Sequence, residues 1–213
     1  MSLYDFEHEK HAEGYKYICG VDEAGRGPWA GPVVAGAVVF FNRKINPVLL
    51  NSLDDSKKLS TKKREELYKL IQTEEIAGNL SYGIGEATAA EIDEINILQA
   101  TFLAMRRAMA ALKCKPNTAL VDGNRMPVGF VCPCKTIVKG DAKSFSIAAA
   151  SVMAKVYRDR LMAELAQKYP WYGFEKNAGY GTKAHIDGLK QHGITPQHRK
   201  SYRPIAEIIA AQC

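Results

Sequence analysis

Residues 17–41 read YICGVDEAGRGPWAGPVVAGAVVFF and contain the pattern on which the predicted fold rests. The apolar runs YICGV (17–21) and VVAGAVVFF (33–41) are typical of two buried strands. The glycine- and proline-rich stretch between them, DEAGRGPWAGP (22–32), is typical of a loop. The fold is therefore expected to begin with a strand that ends directly at two acids.

The rest of the chain alternates between helix and strand patterns. Further strands are expected at 80–85, 119–121 and 136–138. Helices are expected at 61–76, with Ser60 as the N-cap, and at 88–113, 143–168 and 204–211. Interleaved strands and helices predict an α/β fold, with one mixed five-stranded sheet, helices on both faces and a helical C-terminal part.

Length and composition indicate one folded domain. The chain has 213 residues, of which 46% are hydrophobic and 24% charged, as is ordinary for a globular domain. Residues 1–14 are polar and are expected to form a flexible N-terminal leader. Residues 15–213 are expected to form the single domain.

The charge and the cysteines indicate a partner and a compartment. The net charge of +6 favours a polyanionic partner, nucleic acid before an anionic membrane. No apolar run approaches the roughly 20 residues of a membrane span, and the N-terminus is too polar for a secretory signal.

An odd number of cysteines, five, fits reduced thiols, so a cytoplasmic location without a membrane partner is expected. Cys132 and Cys134 are too close for a Cys-x-x-Cys pair, and no second pair completes a zinc site.

Four acids lie at or just after the carboxyl ends of predicted strands. They are Asp22 and Glu23 after the first strand, Asp122 after 119–121 and Asp141 three residues after 136–138. Such strand ends line one edge of an open α/β sheet. Carboxylates that converge repel one another, and a bound Mg²⁺ or Mn²⁺ ion would stabilise them. Two such ions about 4 Å apart can activate a water molecule that attacks a phosphodiester. The alternative, that the acids are turn formers and solvated charges, fits one strand end better than three.

A glycine loop and an aromatic turn are weaker signals. Gly25-Arg26-Gly27 allows close backbone approach and supplies a planar cation for phosphate, but it is also compatible with an ordinary tight turn. It is neither a P-loop nor a dinucleotide fingerprint. Tyr180, in a Gly-Tyr-Gly turn, is by itself more typical of a rim aromatic than of a stacking platform.

Basic and histidine side chains of the C-terminal half each have two interpretations. Four basic side chains fit either a solvated helix face or contacts along the phosphate backbone of a nucleic acid. They are Lys139, Lys143, Lys155 and Arg158. A metal or acid–base role is conceivable for the histidines, but structural hydrogen bonding is favoured because the spacing suggests no carboxylate partner. These histidines are His185, His192 and His198.

Long, mutually ordered segments resemble the bacterial ribonuclease HII family, the type 2 ribonucleases H. They are VDEAGRGPWAGPVV (21–34), DDSKKLS (54–60), IDEINILQATFLAMRRA (92–108), LVDGN (120–124), VKGDAKSFSIAAASVMAKVYRD (138–159), GYGTKAH (179–185) and GITPQHRKSY (193–202). The resemblance implies a ribonuclease H-like fold and a need for two Mn²⁺ or Mg²⁺ ions. It implies cleavage of the RNA strand of RNA–DNA hybrids. It also implies nicking of duplex DNA 5′ of a single ribonucleotide, which leaves a 3′-hydroxyl and a 5′-phosphate and serves ribonucleotide removal in replication and repair.

The resemblance also assigns residues. The family's catalytic and metal-binding carboxylates match Asp22, Glu23, Asp122 and Asp141. Its ribonucleotide-sensing loop matches Gly25, Arg26 and Gly27, and its ribose-stacking tyrosine matches Tyr180. A motif near the scissile phosphate matches Ser56 and Lys57.

Two positions depart from the family's pattern. Trp29 stands where leucine is usual, which indicates a change in the core or at its rim. Asn177-Ala178 stands where members often have His-Lys, which puts a basic contact near Tyr180 in doubt.

Two other functions compete with this interpretation. A non-catalytic basic module would bind hybrids or single-stranded RNA, but such a module has little reason to keep four carboxylates. Another two-metal nuclease, a junction resolvase or a type 1 ribonuclease H, would use the same fold. The expected partners are an RNA–DNA hybrid and a DNA duplex with an embedded ribonucleotide. The protein is expected to be a monomer, and the tail IAEIIAAQC (205–213) shows no evident sliding-clamp peptide.

Overall fold

The computed structural model describes residues 3–41, 46–54 and 60–211. Within these residues five strands form one mixed sheet, as predicted. The strands are β1 (Ile18–Ala24), β2 (Val33–Phe40), β3 (Leu80–Ala87), β4 (Thr118–Asp122) and β5 (Cys134–Ile137). Their order in the sheet is β3-β2-β1-β4-β5. The pairs β1–β2 and β2–β3 are antiparallel, whereas β1–β4 and β4–β5 are parallel.

The helices include the expected ones and several that the sequence pattern did not predict. The expected helices are α3 (Thr61–Ile76), α4 (Ala89–Ala110), α5 (Phe145–Lys168) and α8 (Arg203–Ala210). The additional helices are α1 (Asp5–Ala12), α2 (Pro47–Asp54), α6 (Phe174–Asn177) and α7 (Lys183–His192). In the described part of the chain no helix is long and apolar enough to cross a membrane.

Capping fixes where the predicted helices begin. The Ser60 side chain accepts a hydrogen bond from the backbone N–H of Lys63, so this N-cap is confirmed. Thr88 and Glu91 form a capping box at the start of α4. These polar contacts satisfy backbone groups that the first turn of a helix leaves without partners.

Helices cover both faces of the sheet. On one face Ala35 and Ala37 pack with Phe102 and Met105 of α4. On the other face α5 lies so close that a Cβ atom on Gly36 would stand 2.3 Å from the carbonyl oxygen of Ala150. Because only a glycine allows this approach, the spacing between sheet and α5 depends on it.

The N-terminal segment differs from the expectation of a flexible leader, because residues Asp5–Ala12 form helix α1. The Tyr4 ring stacks on Phe145 with 4.9 Å between the ring centroids. Glu7 is only 8% exposed, because its carboxylate accepts hydrogen bonds from Ser144 and Ser146. The polar composition of residues 1–14 does not reveal that some of their polar groups bond inside the protein.

The C-terminal helices form a separate small core beside the glycine loop. Buried members of this core include Ala30, Met162, Phe174 and Ile205. An isolated bridge joins Ala30 to His198. The loop after β1 and the C-terminal part of the chain are therefore held against each other.

Candidate active site

Strand register brings the predicted acids to one edge of the sheet. Val21 of β1 pairs with Val121 of β4 in the last pair of the parallel register, so the next residues, Asp22 and Asp122, lie side by side. Asp122 ends β4, but β1 does not end before Asp22 and Glu23 as expected, because its antiparallel pairing with β2 continues to Ala24. Asp122 in turn pairs with Ile137, the last residue of β5. The 3₁₀ turn Gly140–Ala142, which carries Asp141, begins three residues after the end of β5. The predicted convergence at the strand ends has this geometric basis.

Asp22 is the most buried of the four acids, with 5% of its surface exposed. Its Oδ1 accepts a hydrogen bond of 2.7 Å from the backbone N–H of Glu23. Burial raises the pKa of Asp22 well above its ordinary value, and the charges of Glu23 and Asp122 raise it further. A hydrogen bond with the Ser151 side chain of α5 partly opposes that increase.

Asp122 is tied to the turn that carries Asp141. Its Oδ1 accepts a hydrogen bond of 2.5 Å from the backbone N–H of Gly140. Lys139, just before that turn, has a left-handed backbone with φ of 56°. Burial raises the pKa of Asp122, and the charge of Asp141 acts in the same direction.

Glu23 contacts the arginine of the glycine loop. Its Oε1 accepts a hydrogen bond of 3.3 Å from Nη1 of Arg26. Burial raises the pKa of Glu23, and Arg26 opposes part of that increase. In the described residues no three acidic, histidine or cysteine side chains already stand at the spacing of one metal's ligands. The donor chemistry nevertheless fits a divalent ion, since hard carboxylate oxygens with raised pKa values need a nearby positive charge.

Arg199 holds the glycine loop from the inside. It is fully buried, and its guanidinium donates hydrogen bonds to the carbonyl oxygens of Gly25 at 2.5 Å, Arg26 at 2.8 Å and Gly31 at 3.0 Å. The hydroxyl of Tyr202 also donates to the carbonyl of Arg26. Arg199 lies in the segment GITPQHRKSY (193–202), but no pattern in the sequence indicated this role.

Arg158 is a second internal support, and neither interpretation made from the sequence was right. It is 2% exposed, so it is neither a solvated side chain nor a phosphate contact. It donates to the carbonyl oxygens of Pro32 and Ala178, both at 3.0 Å. A Cβ on Gly25, where φ is +94°, would lie 1.9 Å from its Nε, so Gly25 is required at that contact. Burial, with a contribution from Arg199, lowers the pKa of Arg158 to about 10.

Tyr180 faces the glycine loop with 53% of its surface exposed. A Cβ built on Gly27 would stand 3.3 Å from Cε1 of the Tyr180 ring. The turn before it depends on Asn177, whose Oδ1 accepts from the N–H of Gly179 at 2.8 Å and whose Nδ2 donates to the carbonyl of Tyr172 at 2.7 Å. Asn177 is thus a buried turn-forming residue, a role that the sequence did not indicate.

Two buried histidines continue this support, as the hydrogen-bonding interpretation expected. The N–H of Thr195 donates to Nδ1 of His198, so the proton of that ring is on Nε2. His198 Nε2 then donates to Nε2 of His185 at 3.0 Å, and His185 Nδ1 donates to the carbonyl of Tyr180 at 3.0 Å. This series of hydrogen bonds requires both imidazole rings to be neutral. Burial lowers the pKa values of both histidines, that of His198 to about 4.

Trp29 links the glycine loop to the tyrosine turn. Its N–H donates to the carbonyl of Gly179 and its carbonyl accepts from the N–H of Arg199, both at 2.8 Å. A Cβ on Gly181 would lie 2.1 Å from the Trp29 ring. The tryptophan is therefore a rim residue that packs directly on the tyrosine turn. Ser56 and Lys57 lie outside the described residues.

Comparison with known proteins identifies the family of this chain. The family model described as Ribonuclease HII matches residues 19–205. The chain belongs to the ribonuclease HII family. It is 56% identical over 192 residues to the ribonuclease HII of Paramagnetospirillum magneticum, which covers 90% of this chain and 92% of that relative.

Two solved structures share the fold. The ribonuclease H2 from Pyrococcus horikoshii matches with a TM-score of 0.73 and 30% identity, over 92% of this chain and 98% of that one. The ribonuclease HII of the PCNA complex from Archaeoglobus fulgidus matches with a TM-score of 0.65 and 26% identity, over 88% and 95% of the two chains. The ribonuclease H-like fold is therefore confirmed, and the family's metal-dependent cleavage of RNA in RNA–DNA hybrids applies to this chain.

Proposed function

We propose that this ribonuclease HII also nicks duplex DNA on the 5′ side of a single embedded ribonucleotide, leaving a 3′-hydroxyl and a 5′-phosphate. One observation carries the proposal: a rigid backbone loop and an exposed tyrosine face each other beside the carboxylate edge. A cleft of this kind can recognise one sugar without reading a base. We further propose that the enzyme acts as a cytoplasmic monomer in ribonucleotide removal, with residues 15–213 as the catalytic domain.

The carboxylate edge would hold the metal ions. Asp22, Glu23, Asp122 and Asp141 would bind two Mg²⁺ or Mn²⁺ ions, which supply water activation and charge stabilisation at the phosphate when bound. The protein fixes two of these acids through its backbone, Asp22 by the N–H of Glu23 and Asp122 by the N–H of Gly140. Because these acids are held in place, they need little reorganisation before the reaction.

The glycine loop would recognise the 2′-hydroxyl, which can donate and accept a hydrogen bond. The carbonyls of Gly25 and Arg26 point inward to Arg199. The C=O and N–H of a trans peptide point in opposite directions, so the N–H groups of Arg26 and Gly27 point away from Arg199. They are therefore oriented to donate to a ribose in the cleft.

Tyr180 would complete the recognition by packing on the ribose. Its ring is exposed, while its backbone is held by Asn177 and by the His185–His198 pair. An exposed ring on a fixed backbone can contact a sugar with a small loss of conformational freedom. Ser56 and Lys57 are proposed to lie near the scissile phosphate.

The experiment is cleavage of a labelled DNA duplex that contains one ribonucleotide, with Mg²⁺, with Mn²⁺ and with neither. An all-DNA duplex and a full RNA–DNA hybrid serve as controls. We expect a single metal-dependent nick 5′ of the ribonucleotide, a 3′-hydroxyl on the upstream product and no cleavage of the all-DNA duplex. Cleavage of the hybrid without any nick at the single ribonucleotide would limit the activity to hybrids. Equal cleavage of the all-DNA duplex would contradict sugar recognition.

A further inference from the structure

Helix α1 lies outside the part of the chain that the family model matches, residues 19–205. It nevertheless contacts the helix that follows the Asp141 turn. Oε1 of Glu7 accepts three hydrogen bonds: from Oγ of Ser144 at 2.6 Å, from Oγ of Ser146 at 2.7 Å and from N–H of Ser146 at 3.0 Å. A carboxylate is favourable there, because the first turn of a helix carries partial positive charge.

Two further hydrogen bonds continue from Ser144 to the carboxylate edge. The N–H of Ser144 donates to the carbonyl oxygen of Gly140 at 2.8 Å. The N–H of Gly140 donates to Oδ1 of Asp122 at 2.5 Å. Gly140, the residue before Asp141, is therefore held on one side by Asp122 and on the other by the serine that Glu7 binds.

Other contacts attach α1 to both elements that flank the turn. The N–H of Phe145, the first residue of α5, donates to the carbonyl of Leu3 at 2.9 Å. Lys135 of β5 forms an ion pair of 2.6 Å with Glu9. The segment from Leu3 to the end of α1 is thus attached both to β5, which precedes the Asp141 turn, and to α5, which follows it.

We propose that Glu7 is a positioning residue for the turn that carries Asp141, and that α1 is an N-terminal brace of the metal site. The inference rests on the proposed metal-binding role of Asp141. In this role Glu7 acts through Ser144 and Ser146, by orienting the start of α5. Groups that orient metal ligands change metal affinity or activity by about 10–100-fold when they are removed.

The test compares Glu7→Gln and Glu7→Ala with Glu13→Ala. Glu13 is an exposed residue just after the same helix that pairs with Lys10 and does not reach α5, so it is the matched control. Titration calorimetry with Mn²⁺ alone measures the dissociation constant without turnover. We expect a rise of about tenfold or more for Glu7→Ala. We expect a smaller rise for Glu7→Gln, which keeps one acceptor oxygen, and no change for Glu13→Ala.

Kinetics on an RNA–DNA hybrid separate positioning from general stability. At low Mn²⁺ the Glu7 variants should have reduced kcat and an unchanged KM for the hybrid, and excess Mn²⁺ should restore kcat. If Glu7→Ala does not fold, Ser146→Ala provides the second variant. It removes one hydrogen bond to Glu7 and should shift the Mn²⁺ dissociation constant in the same direction.

Two results are decisive. Wild-type Mn²⁺ affinity in folded Glu7 variants, with only a lower melting temperature, would show that α1 is a structural anchor and would overturn the inference. Asp141→Asn tests the underlying assignment separately. If Asp141→Asn is inactive while the Glu7 variants bind Mn²⁺ normally, only the brace fails. If Asp141→Asn retains full activity and Mn²⁺ affinity, the proposed role of Asp141 itself fails.

Discussion

The two halves of the cleft are held in place by different means. The carboxylate edge follows from the register of neighbouring strands, in which Val21 pairs with Val121 and Asp122 with Ile137. The other half consists of Gly25–Gly27 and Tyr180 and is called the sugar-facing half after its proposed role. It is held by side chains far away in the sequence. Arg199, for example, binds a carbonyl 174 residues earlier in the chain. One half depends on backbone pairing, and the other depends on individual long-range hydrogen bonds.

The halves also differ in electrostatics. Burial and mutual repulsion raise the pKa values of Asp22, Glu23 and Asp122. A bound cation would therefore stabilise the ionised carboxylates of this edge. The sugar-facing half already satisfies its buried cations with backbone carbonyls. Substitutions in the first half should therefore abolish chemistry at little cost in stability, whereas substitutions in the second half should cost stability as well as recognition.

The largest effect is expected at the carboxylate edge. Asp22→Asn or Asp122→Asn should lower kcat by about three orders of magnitude or more, about 4 kcal/mol, because an amide is a poor ligand for a hard cation. The melting temperature of the metal-free variants should be unchanged or higher, since a repelling buried charge is removed. Single-turnover cleavage and thermal unfolding in EDTA measure the two quantities. Near-normal turnover of either variant would remove that residue from the centre.

Arg199→Met should have the next largest effect, now on stability. The free energy of unfolding should fall by about 3 kcal/mol or more, because the carbonyls of Gly25, Arg26 and Gly31 lose their donor. Preference for a single-ribonucleotide duplex over a hybrid should fall too. Urea unfolding and kcat/KM on both substrates measure these effects. Arg203→Met, at a side chain that is 90% exposed, is the control and should behave like wild type; equal results for the two variants would contradict the support role.

The histidine pair predicts a pH dependence confined to the sugar-facing half. The folded-state pKa of His198 is lowered from 6.5 to about 4, so its contribution to stability is present above pH 6.5 and is lost as pH falls toward 4. A shift of about 2.5 pKa units, at about 1.4 kcal/mol per unit, makes this linkage worth about 3.5 kcal/mol. Urea unfolding of wild type and His198→Gln between pH 4.5 and 7.5 measures it. The variant should have the flatter profile, whereas the exposed His192→Gln should keep the wild-type slope.

Tyr180 should give the smallest effect. Tyr180→Ala is expected to lose about 1 kcal/mol of transition-state stabilisation, about fivefold in kcat/KM on the single-ribonucleotide duplex, because a ring–sugar contact is weaker than base stacking. Tyr180→Phe should keep most activity, since the ring remains. Trp171→Ala changes another ring of similar exposure, 54% against 53%, and is the control. If both Tyr180 variants cut like wild type, the ring is only a rim aromatic.

The features that the sequence reveals and those that it hides follow the same division. Asp122 lies at the end of β4 as expected, because apolar runs and turn residues are local signals. The end of β1 was misplaced, because pairing with β2 extends that strand through Asp22 and Glu23 to Ala24. Arg158 was misinterpreted, because the periodicity of α5 does not tell which side chains meet another part of the chain. Helix α1 was missed, because a polar helix that buries a single carboxylate, Glu7, resembles a flexible leader in composition.

By itself the sequence determined the elements of the sheet, the acids near the ends of its strands and, through long ordered motifs, the family. Only the tertiary structure decided what supports the cleft: Arg158 and Arg199 behind the glycine loop, His185 and His198 behind Tyr180, and Glu7 behind the Asp141 turn. The loop and the tyrosine turn are held largely through backbone carbonyls. Because every residue carries such a carbonyl, the sequence does not indicate which carbonyl accepts a hydrogen bond from a buried side chain. The donor and its acceptor are brought together only when distant segments pack against each other.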